Sequence, residues 1–428
     1  MNFPSRLRSV KFNTNAQSLT SFAGLPLVIG LAHKLGVISA LKTLTVKKRN
    51  RGIPIEDFAV SMAANFLVGG DSLTDLDVLR QEVVTRKLCY GLQVPAPTTA
   101  GERLRTFSLG HVRQLESING EMVGNILRRT GGSSALTVDV DSSIIEVHGY
   151  LKEGARYGYT GVRGLHPLLA FLHEERLLLG CRLRSGNKHS AHGVTGFLDR
   201  VLAPLPKDRP IRLRMDAGFY GVDVETYCVE NGLQFSISAK LTSKLREAID
   251  GLPESAWRSY SWEDGAEWAE FSYQPAKWSR PHRLLIKRTA WFEKEQLVIG
   301  EHFYTAVITN RAGAGCALIR HHLGRGGMEN YIEEFKNGIG ARHLPSQCFL
   351  ANWAWLMMAT LAYNLAQAFK LLLLPASEHA SQIKKLRLHW FNVGGRWIRT
   401  GRRWIVSLAR GPETARAFEH VQKLLHAT

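Results

Sequence analysis

Three acidic residues, Asp141, Asp216 and Glu329, stand where a chain would need them to hold divalent metal over a phosphodiester. Magnesium takes hard oxygen ligands, usually a few carboxylates completed by water and substrate phosphate. A two-metal phosphoryl-transfer site therefore gathers acids from distant parts of a sequence. Asp141 comes late in the strand-like run Ala135–Ser143. Thr137, Asp139 and Asp141 alternate onto one face of that run, and Leu136, Val138 and Val140 onto the other. Asp216 ends a second run, entered from Pro210, in which Ile211, Leu213 and Met215 alternate with Arg212, Arg214 and Asp216. The turn Ala217-Gly218-Phe219-Tyr220-Gly221 follows directly. Acids at the C-terminal ends of strands converge in an open α/β sheet. Taken singly, each aspartate is equally well explained as a turn or helix cap. Taken as a pair in this setting, they favour a shared site.

Glu329 lies in a helical pattern. Met328, Tyr331, Ile332 and Phe335 recur at i, i+3, i+4 and i+7 and form an apolar face. At about 100° per residue, Glu329 and Lys336 flank one edge of that face, and Arg325 joins them if the helix reaches back so far. Glu334 projects to the opposite flank, and Glu333 points more toward solvent. Alone, this pattern would read as an ordinary surface helix.

The elements that must position these groups divide the 428 residues into three textures. Residues 1–130 read as helical: Leu25–Leu44 and Ile55–Val68 have helical apolar spacing, and Asp71–Asp75 offers caps for a helix through Leu76 and Leu79. After Pro95 and Pro97, Thr98 to Arg105 resembles either the start of a recognition helix, with its Arg103-x-Arg105 pair, or a solvated capped helix. Residues 131–375 alternate strands (Leu168–Leu172, Leu177–Leu183, Ile211–Asp216) with helices such as Val222–Asn231, which indicates an α/β sheet. Within them, residues 235–315 carry Trp257, Trp262, Trp268, Trp278 and Trp291 in short alternating runs, the texture of an antiparallel β insertion. For any one of these tryptophans, core packing is the better reading. Residues 376–428 read as a basic helical tail.

Composition narrows the function. Hydrophobic residues make up 45% and charged ones 21%, enough apolar material for a real core and against full disorder. The five cysteines are dispersed, with no C-x-x-C pair, so neither a zinc ribbon nor a disulfide framework is supported and a reducing compartment fits. Met1–Gln17 carries Arg6, Arg8 and Lys11 and lacks the apolar core of a signal peptide. Phe349–Leu374 is apolar enough for a membrane span, but Asn352, Asn364, Gln367 and Lys370 make a buried core helix the expectation. Lys and Arg number 55 against 37 Asp and Glu, a net charge of +18 that favours a polyanion partner. Much of the excess lies in the N-terminal helices and in Lys384–Lys423, where residues such as Arg402 and Arg403 would hold a polyanion, nucleic acid or an anionic membrane surface, in a salt-sensitive way.

These residues together resemble bacterial insertion-sequence transposases of the DDE type, in the group marked by a Y-(2)-R-(3)-E-(6)-K signature. The spacing here is His322-(2)-Arg325-(3)-Glu329-(6)-Lys336, with histidine in the tyrosine position. Similar blocks occur in the right order: Val138–Ser143, His166-Pro167-Leu168-Leu169, Gly186-Asn187-Lys188-His189, Arg214–Tyr220 and Ala362-Tyr363-Asn364-Leu365. The resemblance covers about residues 130–410.

It implies an α/β, RNase H-like core in which Asp141, Asp216 and Glu329 hold two Mg²⁺ ions, with Mn²⁺ able to substitute. Asp139 shares a strand face with Asp141 and remains an alternative first aspartate and metal ligand. Asp141 is preferred because small hydroxyl residues, Ser142 and Ser143, follow it. Arg325 and Lys336 would grip phosphates near the cut end. His322 would stand in for the tyrosine that contacts the end phosphate, since an imidazole can donate there. In relatives that cut through a hairpin intermediate, an aromatic of the β insertion stacks on a flipped base. The implied partners are double-stranded DNA, both transposon terminal inverted repeats and target, and a second copy of the chain in a synaptic homodimer. No membrane is implied, and the implied location is the bacterial cytoplasm at the nucleoid. The alternatives are a nuclease on the same core without strand transfer and a catalytically decayed DNA-binding protein.

Overall fold

Glycine sets the first helix boundaries. The apolar run Leu25–Leu44 is split into α1 (Leu25–Lys34) and α2 (Val37–Leu41), because Gly36 turns the chain at φ 77°. Glycine adopts that left-handed conformation at little cost. Ahead of them, β1 is the two-residue strand Leu19–Thr20. The range its periodicity predicts, Ile55–Val68, is α3, with Glu56 and Asp57 favourably placed in its first turn. Then come α4 (Leu76–Gln81), α5 (Val83–Leu88), α6 (Pro97–Leu104) and α7 (Leu109–Thr130). In α6, the segment that resembled a recognition helix, Arg103 turns back onto the protein. It donates to the Ile53 carbonyl, and its guanidinium lies 5.1 Å from the Phe58 ring centre. Ser108 caps α7, its Oγ accepting from the His111 amide. The structure is a computed structural model that describes residues 17–46, 52–131, 133–158, 160–293 and 296–427. Arg6, Arg8 and Lys11, the signal-peptide reading of that stretch, Gly132 and the side chain of Trp291 lie outside what it describes.

Past Gly131 the chain becomes a sheet. Strand β2 (Leu136–Ser142) is buried on both faces from Leu136 to Val140 and lies centrally. A small separate sheet follows from β3 (Ile145–Glu146), β4 (Arg156–Tyr157) and β5 (Arg163–Leu165). The chain then runs through β6 (Leu168–Leu172), β7 (Leu177–Arg182), α8 (Thr195–Leu202), β8 (Ile211–Met215), α9 (Val222–Glu230), β9 (Gln234–Ser238) and α10 (Ser243–Asp250). The tryptophan-rich segment forms β10 (Arg258–Ser259), β11 (Glu267–Tyr273), β12 (His282–Glu293) and β13 (Gln296–Thr309).

All but the small sheet's strands and the chain's outer strands join one nine-stranded sheet, in the order β10-β11-β12-β13-β9-β8-β2-β6-β7. Strands β2, β8 and β9 are parallel, and β6 is antiparallel to β2 and to β7. The expected insertion is antiparallel, as its alternation indicates, and it extends the central sheet through β13 on β9. Trp257, Trp268 and Trp278 are buried, whereas Trp262 is exposed beneath the Arg320 guanidinium.

Helices α11 (Gly315–Leu323) and α12 (Gly327–Glu333) are joined by a 3₁₀ turn, Gly324–Gly326, and followed by a π-helical turn, Glu334–Gly338. The apolar run after them is α13 (Phe349–Leu373), a core helix buried along nearly its whole length. It packs against α3 and α7 on one side and β7 on the other. Its polar groups are satisfied, as burial demands. Asn364 Oδ1 accepts from the Leu178 amide at 2.8 Å, and its Nδ2 donates to Asn119 of α7, also at 2.8 Å. Asn352 closes on both backbone groups of Ser346. Lys370 donates to the Ser381 carbonyl at 2.7 Å, and burial pushes its ammonium down to about 8.

The tail departs from the all-helical expectation. After α14 (Ile383–Leu386) come β14 (Gly395–Thr400) and β15 (Arg403–Leu408), an antiparallel hairpin paired at its base with β1. Only then does α15 (Pro412–Ala427) form. The basic residues between Lys384 and Lys423 masked the β-forming run Trp404-Ile405-Val406. One of those basic residues, Arg387, is a structural cap, donating to the Phe66 and Leu67 carbonyls at the end of α3.

Candidate active site

The parallel register of β2 on β8 does the first work. Asp139 pairs with Arg214, and Val140 with Met215, so one further step along both strands brings Asp141 beside Asp216. Both acids thus sit at adjacent strand ends, on the edge where ligands meet an open α/β sheet. Asp216 caps the 3₁₀ turn Ala217–Phe219, its Oδ1 accepting from the Gly218 amide at 2.9 Å. Burial first, and then the neighbouring Asp141 charge, holds the Asp216 carboxyl above the usual aspartate range, with Arg325 and Lys240 opposing. Asp141 accepts from Arg325 Nη1 at 2.9 Å through one oxygen and from the Ser142 amide at 2.7 Å through the other.

Asp139 has a different role from the one allowed for it. Its two oxygens take the Arg214 fork at 2.6 and 2.7 Å, and His173 Nδ1 adds a contact at 3.1 Å. Both partners of the ion pair are buried, at 0% and 2% side-chain exposure. A carboxylate so enclosed by bidentate guanidinium has no face left for metal. That closes Asp139 to metal and leaves Asp141, two residues further along the same strand face, as the candidate. Arg214 also donates to the His321 carbonyl, which ties α11 to the sheet.

Glu329 arrives on the helix that crosses these strand ends. His322, Arg325, Glu329 and Lys336 fall at i, i+3, i+7 and i+14, one stripe of the α11–α12 rod. At the ends of the stripe the side chains reach the sheet. His322 meets Ser238 and Ser236 of β9 at 2.9 and 3.1 Å. Arg325 reaches Asp141, and Lys336 donates to Ser143 Oγ and the Ile144 carbonyl at 3.2 and 2.9 Å. Glu329 stands between the last two, about 6 Å along the rod from Arg325, and is exposed. Among the described residues no three His, Cys, Asp or Glu side chains are gathered closely enough to hold a metal ion. The structure thus brings Asp141 and Asp216 together and leaves Glu329 on the same side without closing on them. Lys336 lies in the π-helical turn, and burial lowers its ammonium from the ordinary lysine value.

His322 is corrected. Only 3% of it is exposed, and burial, then the Arg325 and Arg214 charges, drives its imidazole down to about 3. Both ring nitrogens are taken up by the two β9 serines, so the enclosed ring ties α11 to the sheet and has no free nitrogen to offer a phosphate. Arg402 and Arg403 are exposed in the hairpin, far along the chain from this site.

Several residues here escaped notice in the sequence. Arg214 shows in the sequence as an alternating strand residue and as the start of the Arg214–Tyr220 block, and its pairing with an acid appears only with the parallel register. Arg184, 5% exposed, donates to the carbonyls of His166, His189, Ser190 and His192 and so pins the Gly186–His189 block. That loop brings Ser190 against Ser142 and Gly218. A Cβ on Gly218 would lie 2.9 Å from Ser190 Cβ, so the close approach requires glycine.

The pair fits a divalent cation. Two carboxylates at neighbouring strand ends repel each other, which adds to burial in raising the Asp216 carboxyl, and a bound cation would relieve that repulsion. One or two carboxylates plus water and substrate phosphate is the usual magnesium complement.

Comparisons with known proteins follow this geometry. A family model described as "Transposase DDE domain group 1" matches residues 4–428. No curated protein sequence matches the chain. Among solved structures, the chain is similar to the piggyBac transposase in its cryo-EM synaptic complex with hairpin DNA. The identity is 10% and the TM-score 0.45, over 94% of this chain and 79% of that one.

Proposed function

The chain belongs to the Transposase DDE domain group 1 family, and from that premise we propose how its residues carry the reaction of a DNA transposase, a metal-dependent enzyme that cuts and joins DNA. The observation that carries the reading is the β2–β8 register, which sets Asp141 and Asp216 side by side under a helix bearing Arg325, Glu329 and Lys336. Asp141 and Asp216 would hold the cation, Mg²⁺ by its preference for hard oxygen, with Mn²⁺ substituting. Glu329 would complete the set, for two ions, when DNA is present. A cation so held lowers the pKa of an attacking water or hydroxyl and offsets charge on the leaving oxygen.

The chain's own groups do the rest. Arg325 orients Asp141 and presents its remaining N–H groups to the phosphate beside the cut. Lys336 fixes the end of β2 and adds positive charge there. The neighbouring Ser142–Ser190 contact holds the loop that borders Asp216. The strand order β7-β6-β2-β8-β9, with β6 antiparallel between β7 and β2, supports an RNase H-like core. The substrates would be transposon terminal inverted repeats and target duplex, and the working form a synaptic homodimer with one end per subunit. His322 in the tyrosine position gives no support to a decayed enzyme, because its contacts are to Ser236 and Ser238.

The test is incubation with candidate end DNA, a target plasmid and Mg²⁺, followed by mapping of the cut strands and joined products. Ends cut and joined to target are the expected result. Ends cut but never joined would overturn strand transfer in favour of a nuclease.

A further inference from the structure

We propose that the hairpin β14–β15 is a DNA-binding ribbon that lies in the major groove of the duplex, outside the cutting site; the proposal rests on the transposase reading. Residues Gly395–Leu408 contain Arg396, Arg399, Arg402 and Arg403 and no acidic residue. Among the described residues, the side chains of Arg396, Arg402 and Arg403 have no hydrogen-bond or ion-pair partner, and all four arginines are exposed. Three guanidinium groups without a partner, and a fourth, Arg399, held only over the Trp404 ring at 5.7 Å, are a charge field that no described acidic side chain offsets.

The ribbon is held at its base and exposed toward its turn, from Arg399 to Ile405. An isolated two-stranded hairpin is marginal in water. This one is stiffened by Trp397 and Trp404, whose rings stack diagonally across the strands at 4.2 Å and 25°. Its base is anchored to β1 through Leu19–Arg396 and Thr20–Gly395, while Lys87 of α5 lies over the Trp397 ring. Even so, Trp404 and Ile405 are 57% and 44% exposed.

The distribution of charge selects the partner. Residues directly opposite share a face, so Trp397, Arg399, Trp404 and Val406 lie on one side. Arg396, Ile398, Arg403 and Ile405 lie on the other. A membrane-lying element needs a continuous apolar face opposite its basic one, and here arginine interrupts both. A groove with phosphates on either wall matches a ribbon charged on both faces. Six residues per strand extend about 20 Å, and the major groove, about 12 Å wide, admits a two-stranded ribbon. Arginine forks suit phosphate and guanine edges alike.

The experiment uses the full chain in EDTA, so that binding is read without cutting. Duplex affinity is measured from 50 to 200 mM salt for the unaltered protein and for R396Q/R399Q/R402Q/R403Q. Losing four phosphate contacts should flatten the log–log salt slope by about 3.6, so that the unaltered protein loses about a hundredfold more affinity over that range. Duplex carrying glucosylated hydroxymethylcytosine, which fills the major groove, should bind the unaltered protein about tenfold more weakly and the variant no more weakly than plain duplex.

A variant with an unchanged melting temperature and an unchanged slope overturns the proposal, as does indifference of the unaltered protein to glucosylation. Arginine-dependent binding to anionic phospholipid vesicles, with the DNA slope unmoved, overturns it in favour of a membrane. If the quadruple variant does not fold, R402Q and R403Q at the turn should each flatten the slope by about 0.9. Failure of the unaltered protein to bind any duplex defeats the transposase reading itself. Normal binding and cutting by the quadruple variant defeats only the ribbon.

Discussion

Asp139 and Asp141 lie two residues apart on one face of one strand, yet they live in opposite settings. Asp139 is closed in by Arg214 and His173 and has no exposure. Asp141 stands at the strand end beside a second aspartate, with a single guanidinium against it. The first arrangement is saturated and fixes the helix over the sheet. The second carries a like-charge repulsion that Arg325 and Lys240 offset only in part, since burial and Asp141 still hold the Asp216 carboxyl high. An acid pair of that kind at a sheet edge is a candidate for metal, whereas a neutralised buried pair serves the fold.

Breaking the saturated member should cost the most stability. Arg214→Met leaves Asp139 buried with only His173 against it, and urea denaturation should show a loss of about 3–5 kcal/mol. Next, Lys336→Ala should slow end cleavage by about a hundredfold, the scale of one lost electrostatic donor, while urea denaturation moves by about 1 kcal/mol. A stability loss as large as that of Arg214→Met, with cutting unaffected, would put Lys336 with the scaffold.

A smaller effect separates the histidines from phosphate contact. His321 and His322 are both neutral in the folded protein, held down to about 3 by burial and nearby arginines. The unfolded chain therefore binds more protons below about pH 6.5, and stability falls as pH drops from there toward 3. His322→Gln keeps a hydrogen bond to the serines and should lessen that acid sensitivity without changing the DNA salt slope. A flatter slope would return His322 to the phosphate. The smallest effect on stability is expected at Asp216→Asn. Removing one of two repelling acids should raise the melting temperature slightly, and a fall would mean that the pair is not repulsive.

Much of this was legible in the sequence because the signals were local. Ile55–Val68 and Leu168–Leu172 match their predicted limits, since apolar periodicity and flanking turns set them. Asp141 and Asp216 showed as strand ends, a short-range pattern, whereas the Arg325–Glu329–Lys336 spacing carried weight only through the family resemblance. Burial was not. Arg214 and Asp139 look like a solvent-facing alternation until the parallel register pairs them, and His322 looks available until β9 encloses it. In the tail, counting charge hid the β-branched and aromatic residues that make a hairpin.

The most direct test of the account is Mg²⁺-dependent cleavage of end DNA by Asp141→Asn, Asp216→Asn and Glu329→Gln, with DNA affinity measured alongside. Glu333→Gln, on the solvent side of the same helix, is the control. The account predicts that each of the three loses cutting by about a thousandfold or more while binding stays near that of the unaltered protein and the control cuts normally. Full cutting by any folded variant of the three would contradict it.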